Sequence, residues 1–127
     1  MNLGLAFYVK WFTTAVDVDC HKIPVGCRTE LMEDAKTGAD LGKSEAFSWH
    51  HEVPVERTVS FTKALKEGSY DESGGGQYCW DEKENIFWSW DTPEAIERKI
   101  KLVLDKRPIG GVFAWGLGED APKFEHL

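Results

Sequence analysis

The sequence predicts an α/β chain in which one unit of strand, helix and parallel strand carries a small α+β domain inside it. Three observations predict it. Residues 3–9 and the run Val112-Phe113-Ala114 are short and apolar, as strands covered on both faces of a parallel sheet are. Ile96, Ile100, Val103 and Leu104 form one helical stripe just before the second run. Between the two runs, Gln77 to Asp81 and Ile86 to Trp90 are aromatic segments around the polar Glu82-Lys-Glu-Asn85, which reads as a β-hairpin.

The elements follow in order. Residues 13–45 lose periodicity and fill with Asp, Gly, Thr and Lys, which predicts a long ordered loop. From Pro54 to about Lys66, Val55, Val59 and Leu65, helped by Thr62, recur near helical spacing, and Gly68 is a natural stop. Ser73-Gly-Gly-Gly76 lacks the Lys-Ser/Thr of a phosphate loop and reads as a flexible connector. Asp91-Thr-Pro-Glu94 combines an oxygen-bearing cap, a first-turn proline and an early Glu at the positive helix end. Arg107-Pro-Ile-Gly-Gly111 then returns the chain into the last strand.

Composition narrows the function classes. The 127 residues make one domain and carry a formal charge of −7, which disfavours nucleic acid and anionic membranes, because both attract basic patches. A neutral polysaccharide meets no such objection. No apolar run approaches the ~18 to 20 residues of a membrane span, and the first ten residues lack the basic start and cleavage site of a signal peptide. Nothing in the chain is expected to direct export. Cys20 and Cys27, with Pro24 and Gly26 between them, can close a small loop or stand as thiols, and Cys79 is left over. A metal site using Cys20, His21 and Cys27 is the alternative, although no second Cys or His cluster completes it. No cofactor is expected.

Gly110-Gly-Val-Phe-Ala-Trp115 resembles the eighth strand of the glycoside hydrolase family 18 chitinase barrel, of the fungal, bacterial-type group with an α+β insertion domain. Asn2-Leu-Gly-Leu-Ala-Phe-Tyr-Val-Lys-Trp-Phe12 is similar to its seventh strand, which usually ends in Tyr-Gly-Arg. Phe47-Ser-Trp-His-His-Glu-Val53 and the segment from Tyr78 to Asp91 are similar to the insertion domain. The resemblance implies the C-terminal part of a (β/α)8 TIM barrel, namely its last two strands. Residues 1–12 would be barrel strand 7, 13–91 the α+β insertion domain, and 92–127 the barrel helix, strand 8 and following loop. A complete barrel needs ~200 to 250 residues. The missing N-terminal barrel segment is therefore an expected partner, since two barrel strands alone leave unpaired edges.

The family's catalytic signature, Asp-x-x-Asp-x-Asp-x-Glu, does not occur in the chain, so no catalytic residue is assigned. The resemblance implies hydrolysis of β-1,4-linked N-acetylglucosamine polymers by substrate assistance, in which the acetamido oxygen attacks the anomeric carbon while a Glu protonates the leaving oxygen. This chain would supply binding. An extracellular location is implied for the parent family.

Trp115, at the carboxyl end of the last strand, is a site candidate on geometry alone, because strands hold the loops at that end rigidly. By resemblance its ring is the aromatic floor under the sugar; the other reading is a core tryptophan. Tyr8 and Lys10 fall on the family's Tyr-Gly-Arg, with Val9 for Gly and Lys10 for Arg, which keeps the charge but loses the planar fork. Glu52 matches a cleft-lining Glu, or is a solvated carboxylate before a helix. Phe113 falls where relatives carry Met near the reacting sugar, though strand packing also explains it.

Trp49, Trp80, Trp88 and Trp90 are dense for a small domain, and alternation puts Trp88 and Trp90 on one face of a strand. Glu33-Asp34 and Glu119-Asp120 are no catalytic pairs, because adjacent extended residues point to opposite sides. The alternatives to an enzyme segment are a non-catalytic module that binds chitin or other glycans, and a truncated remnant.

Overall fold

The computed structural model describes residues 1–49, 53–106, 108–116 and 118. Two sheets divide the strands. The parallel pair joins β1 (Asn2–Ala6) to β7 (Gly111–Trp115), from Asn2 opposite Gly111 to Ala6 opposite Trp115. A five-stranded antiparallel sheet has the order β3-β2-β6-β5-β4, with β2 Tyr8–Thr13, β3 Ser44–Ser48, β4 Ser69–Asp71, β5 Gly76–Asp81 and β6 Ile86–Trp90.

The first apolar run is therefore two strands rather than one. Leu5, Phe7, Val9 and Trp11 are all buried, as period-two alternation demands, but they serve two cores. Leu5 and Phe7 pack with Ile96 of α2 (Pro93–Lys106), whereas Val9 and Trp11 join Phe61, Ile86, Trp88 and Trp90. Phe7 is the crossing point: its N–H donates to the Trp115 carbonyl at 3.4 Å, closing the parallel pair, and the next residue enters the other sheet. Residues 8–12, read from sequence as the rest of a barrel strand, pair instead with β3 and β6.

The segment after Pro54 forms a single 3-10 turn (Val55–Arg57) followed by α1 (Thr58–Glu67). Its inward face differs from the expected one. Val55, Val59 and Leu65 are exposed, while Ser60, Phe61 and Ala64 are buried against the sheet. One aromatic ring decides the rotation: Phe61 sits within 5.0 to 6.4 Å of Trp88, Phe47, Trp49 and Trp90, ring centre to ring centre. Gly68 ends α1 by donating its N–H to the Ala64 carbonyl at 2.8 Å. It lies so close to Trp90 that a Cβ there would stand 2.6 Å from the indole.

The hairpin forms as β5 and β6, with Asn85 taking the positive φ of 52° that its turn requires. Ile86, Trp88 and Trp90 face the core together, so the alternation of the two tryptophans holds. Ser73-Gly-Gly-Gly76 is a tight turn between β4 and β5 rather than a flexible connector. The Asp71 carboxylate accepts from the N–H groups of Ser73 and Gly74, and the Gly75 N–H donates to the Asp71 carbonyl. Thr92 caps α2, its Oγ1 accepting from the Ala95 N–H at 3.2 Å.

Residues 13–45 are mostly loop, tied by bridges between Thr14 and Thr29 and between Glu33 and Asp40. Cys20 and Cys27 are bonded to each other, which settles the open choice, and Cys79 is a buried free thiol. Among the described residues no group of three or more His, Cys, Asp and Glu could hold a metal ion. None of their helices is long and apolar enough to cross a membrane. The last strand departs from expectation. Val112 and Phe113 are about half exposed, because among the described residues β7 pairs with β1 alone.

Candidate functional site

The five-stranded sheet has one closed face and one open face, and alternation assigns the residues. Val9, Trp11, Cys79, Trp88 and Trp90 turn toward α1. Their neighbours Tyr8, Lys10, Phe12, Tyr78, Phe87 and Ser89 turn the other way and keep partial or full exposure. Over this open face lies a groove of about 380 Å³, in the lower range of small-ligand sites.

Tyr8 and Lys10 line the groove together, as their spacing on one strand allows. The Lys10 ammonium stands 5.9 Å from the Tyr8 ring centre and 6.0 Å from that of Phe12, near the outer limit of a cation–π contact. Tyr78 and Phe87 contribute parallel rings, 6.0 Å apart with 10° between their planes. They come from different strands, and the register that sets Tyr78 opposite Ser89 and Trp80 opposite Phe87 brings them side by side.

The charged rim is internally satisfied. Lys99 on α2 donates to both Asp91 oxygens at 2.7 and 2.5 Å, in a partly buried pair that ties the helix to the sheet end. Hydrogen bonding holds the Asp71 carboxyl below its ordinary range, first from the Ser73 hydroxyl and then from the Ser73 and Gly74 N–H groups. Asp71 and Asp91, the groove carboxylates among the described residues, are thus occupied by the protein itself. Lys10 is in no ion pair among the described residues.

Trp115 and Phe113 stand elsewhere. Trp115 ends β7 and is 64% exposed, and Phe113, two residues earlier, lies 6.5 Å from it ring to ring. Neither lines the groove, although Ala6, the register partner of Trp115, does. Phe113 packs over Gly4, where a Cβ would stand 2.8 Å from its ring, so a side chain at position 4 would displace it. Glu52, Glu119 and Asp120 lie outside the described residues. Asp34 is a turn residue, its carboxylate accepting from the Lys36 and Thr37 N–H groups.

Sequence reasoning missed Tyr78, Phe87, Gln77 and Ser89 as groove residues. Phe87 and Ser89 were legible as the off-phase positions between Ile86, Trp88 and Trp90. Val25, in the disulfide-closed loop, also lines the groove and carries no comparable signal.

Residues 1–120 match the family model "Glycosyl hydrolases family 18". No curated protein matches the chain in sequence. Among solved structures, the chain is similar to a chitinase from Rhizomucor miehei (TM-score 0.64, 17% identity), covering 98% of this chain and 36% of that one. It is also similar to an immunomodulatory active chitinase from Trichuris suis (0.56, 21%, 94% and 28%). A third is a plant class V chitinase mutant from Cycas revoluta in complex with (GlcNAc)3 (0.56, 14%, 98% and 31%). The chain thus spans about a third of the length of these structures.

Proposed function

Because the chain belongs to glycosyl hydrolases family 18, we propose that it forms one wall of a chitinase-like cleft that binds β-1,4-linked N-acetylglucosamine oligomers. In this reading β1 and β7 are the last two strands of a (β/α)8 barrel, and the insertion domain between them starts with β2, at Tyr8 rather than at residue 13, and runs to residue 91. The remaining barrel strands and the proton-donating Glu come from outside this chain, which contains no Asp-x-x-Asp-x-Asp-x-Glu spacing.

The observation that carries the reading is the groove, where Tyr8 and Lys10 meet the parallel rings of Tyr78 and Phe87. A pyranose presents apolar C–H faces and a polar rim. Aromatic rings take the faces, and the Lys10 ammonium, with Ser89 opposite it and Gln77 farther along the groove, takes oxygens of the rim. Trp115, exposed at the strand end directly opposite the groove's Ala6, extends the aromatic surface toward the point of cleavage. The (GlcNAc)3 held by the Cycas revoluta relative supports this ligand class. Hydrolysis in the complete enzyme is substrate-assisted, so the protein need supply no nucleophile.

The absence of the acidic signature from the chain also favours a second reading, a non-catalytic module that holds chitin. Two assays on one purified sample separate the readings: release of fluorophore from a fluorogenic chitobioside, and tryptophan-fluorescence titration with chitin oligomers. The expected result is saturable binding without turnover, which the module reading shares. Recovery of turnover on adding the upstream barrel segment supports the enzyme reading, and its failure to appear supports the module. Turnover by the chain alone contradicts the missing acid, and absence of binding contradicts both readings.

A further inference from the structure

We propose that Val25 is a specificity-determining residue, held over the groove by the Cys20–Cys27 loop so that its side chain meets the acetamido methyl of a bound sugar; this rests on the saccharide reading of the groove. The loop is clamped at several points. Cys20 is fully buried and bonded to Cys27. The ring of His21 stands edge-on to Trp80, 4.9 Å between centres, and its Nε2 lies 3.2 Å from the Glu82 carboxylate. On the far side the Ala15 N–H donates to the Arg28 carbonyl at 3.0 Å, and Arg28 pairs with Asp17.

The tip of this fixed loop is apolar, and water reaches it. Ile23 is 72% exposed and Val25 38%, with Pro24 between them and Gly26 at a φ of +86° completing the turn. The disulfide and the contacts of His21 and Arg28 thus hold aliphatic side chains in solvent beside a ligand-sized groove, and Val25 lines that groove. The aromatic rings meet the flat faces that all pyranoses share, so they do not distinguish one sugar from another. Val25 adds an aliphatic surface from a different element. A methyl group fits it, whereas the ammonium that replaces the acetamido group in a deacetylated sugar would be desolvated against it and repelled by Lys10.

The test is calorimetric titration of chitotetraose and of its fully deacetylated counterpart into the chain and into Val25→Ser, Val25→Ile, Cys20→Ser/Cys27→Ser and Tyr8→Ala. Val25→Ser is expected to weaken chitotetraose about five- to tenfold, the loss of one to two buried carbon groups, and to leave the deacetylated oligomer bound no more weakly than before. Val25→Ile should restore binding, and the double cysteine variant should lose the same selectivity while keeping its near-ultraviolet signature. Wild-type affinity for chitotetraose in Val25→Ser would overturn the inference and leave the groove reading intact. Unchanged affinity in Tyr8→Ala would overturn the groove reading, and the inference with it.

Discussion

The indole N–H of Trp88 donates to Ser60 Oγ at 2.9 Å, entirely within the interface between α1 and the five-stranded sheet. Ser60 also favours the charged form of the Asp81 carboxylate, which accepts from Lys63 Nζ at 3.1 Å, so one buried serine stands between a core tryptophan and an ion pair. Ser60→Ala removes the partner of a fully buried N–H and a support of a buried carboxylate. It is expected to cost about 1–3 kcal/mol, read as a lower urea midpoint with an unchanged slope.

Asp81 gives the fold an acid-sensitive point. Burial by itself would raise its pKa, but hydrogen bonds from Ser60, Lys63 and the Lys83 N–H outweigh burial and hold it below 3.8. A depressed carboxyl contributes stability that is complete above its unfolded value and is lost as pH falls through the folded one. Stability should therefore decline below about pH 4 with a contribution from this site. In Asp81→Asn that contribution to the slope of unfolding free energy against pH disappears, whereas an unchanged slope would refute the assignment. Lys63, raised above 10.5 by the same pair, contributes stability that is present below that value and lost as pH rises through its folded pKa.

Gly68→Ala tests the close approach of α1 to β6. The added Cβ would stand 2.6 Å from Trp90 and 2.8 Å from the Ala64 carbonyl oxygen, and the backbone oxygen cannot step aside. The expected loss is about 1–3 kcal/mol in chemical denaturation, even though alanine is the better helix former.

Cys79 should be inert in the native chain. Burial pushes its thiol above 9.0, with Glu67 and Asp81 adding to the rise and Lys63 opposing it. The thiolate needed for reaction is scarce, and the sulfur is buried. Ellman's reagent should label it at the rate of unfolding, with a sharp rise across the urea transition; prompt labelling in buffer would contradict the packing.

The local parts of this fold were legible in sequence, and the parts set by distant contacts were not. The hairpin and α2 rest on alternation, turn residues and a Thr92 cap, all of which act over a few residues. The inward face of α1 depends instead on Phe61 meeting rings from two strands, β3 and β6, and from the segment after β3, so Val55 and Val59, apolar and well spaced, lie in solvent. The crossing at Phe7 was hidden because Leu5, Phe7, Val9 and Trp11 alternate without a break while changing cores. In the groove, Tyr8 and Lys10 were found through a family motif. Tyr78 and Phe87 needed the register between β5 and β6, and Val25 needed the path of a disulfide-closed loop.

The exposed indole of Trp115 separates binding from stability. With Trp115 64% exposed, Trp115→Ala should change unfolding free energy by no more than about 0.5 kcal/mol, since substitutions at the surface rarely do more.

The most direct test of the central claim is calorimetric titration of chitotetraose into the unmodified chain and into Tyr8→Ala. The account predicts saturable binding by the first and at least about a fivefold weaker constant for the second, the loss of a ring contact worth about 1 kcal/mol. Equal affinities, or no heat of binding in the unmodified chain, would contradict the assignment of this groove to a saccharide.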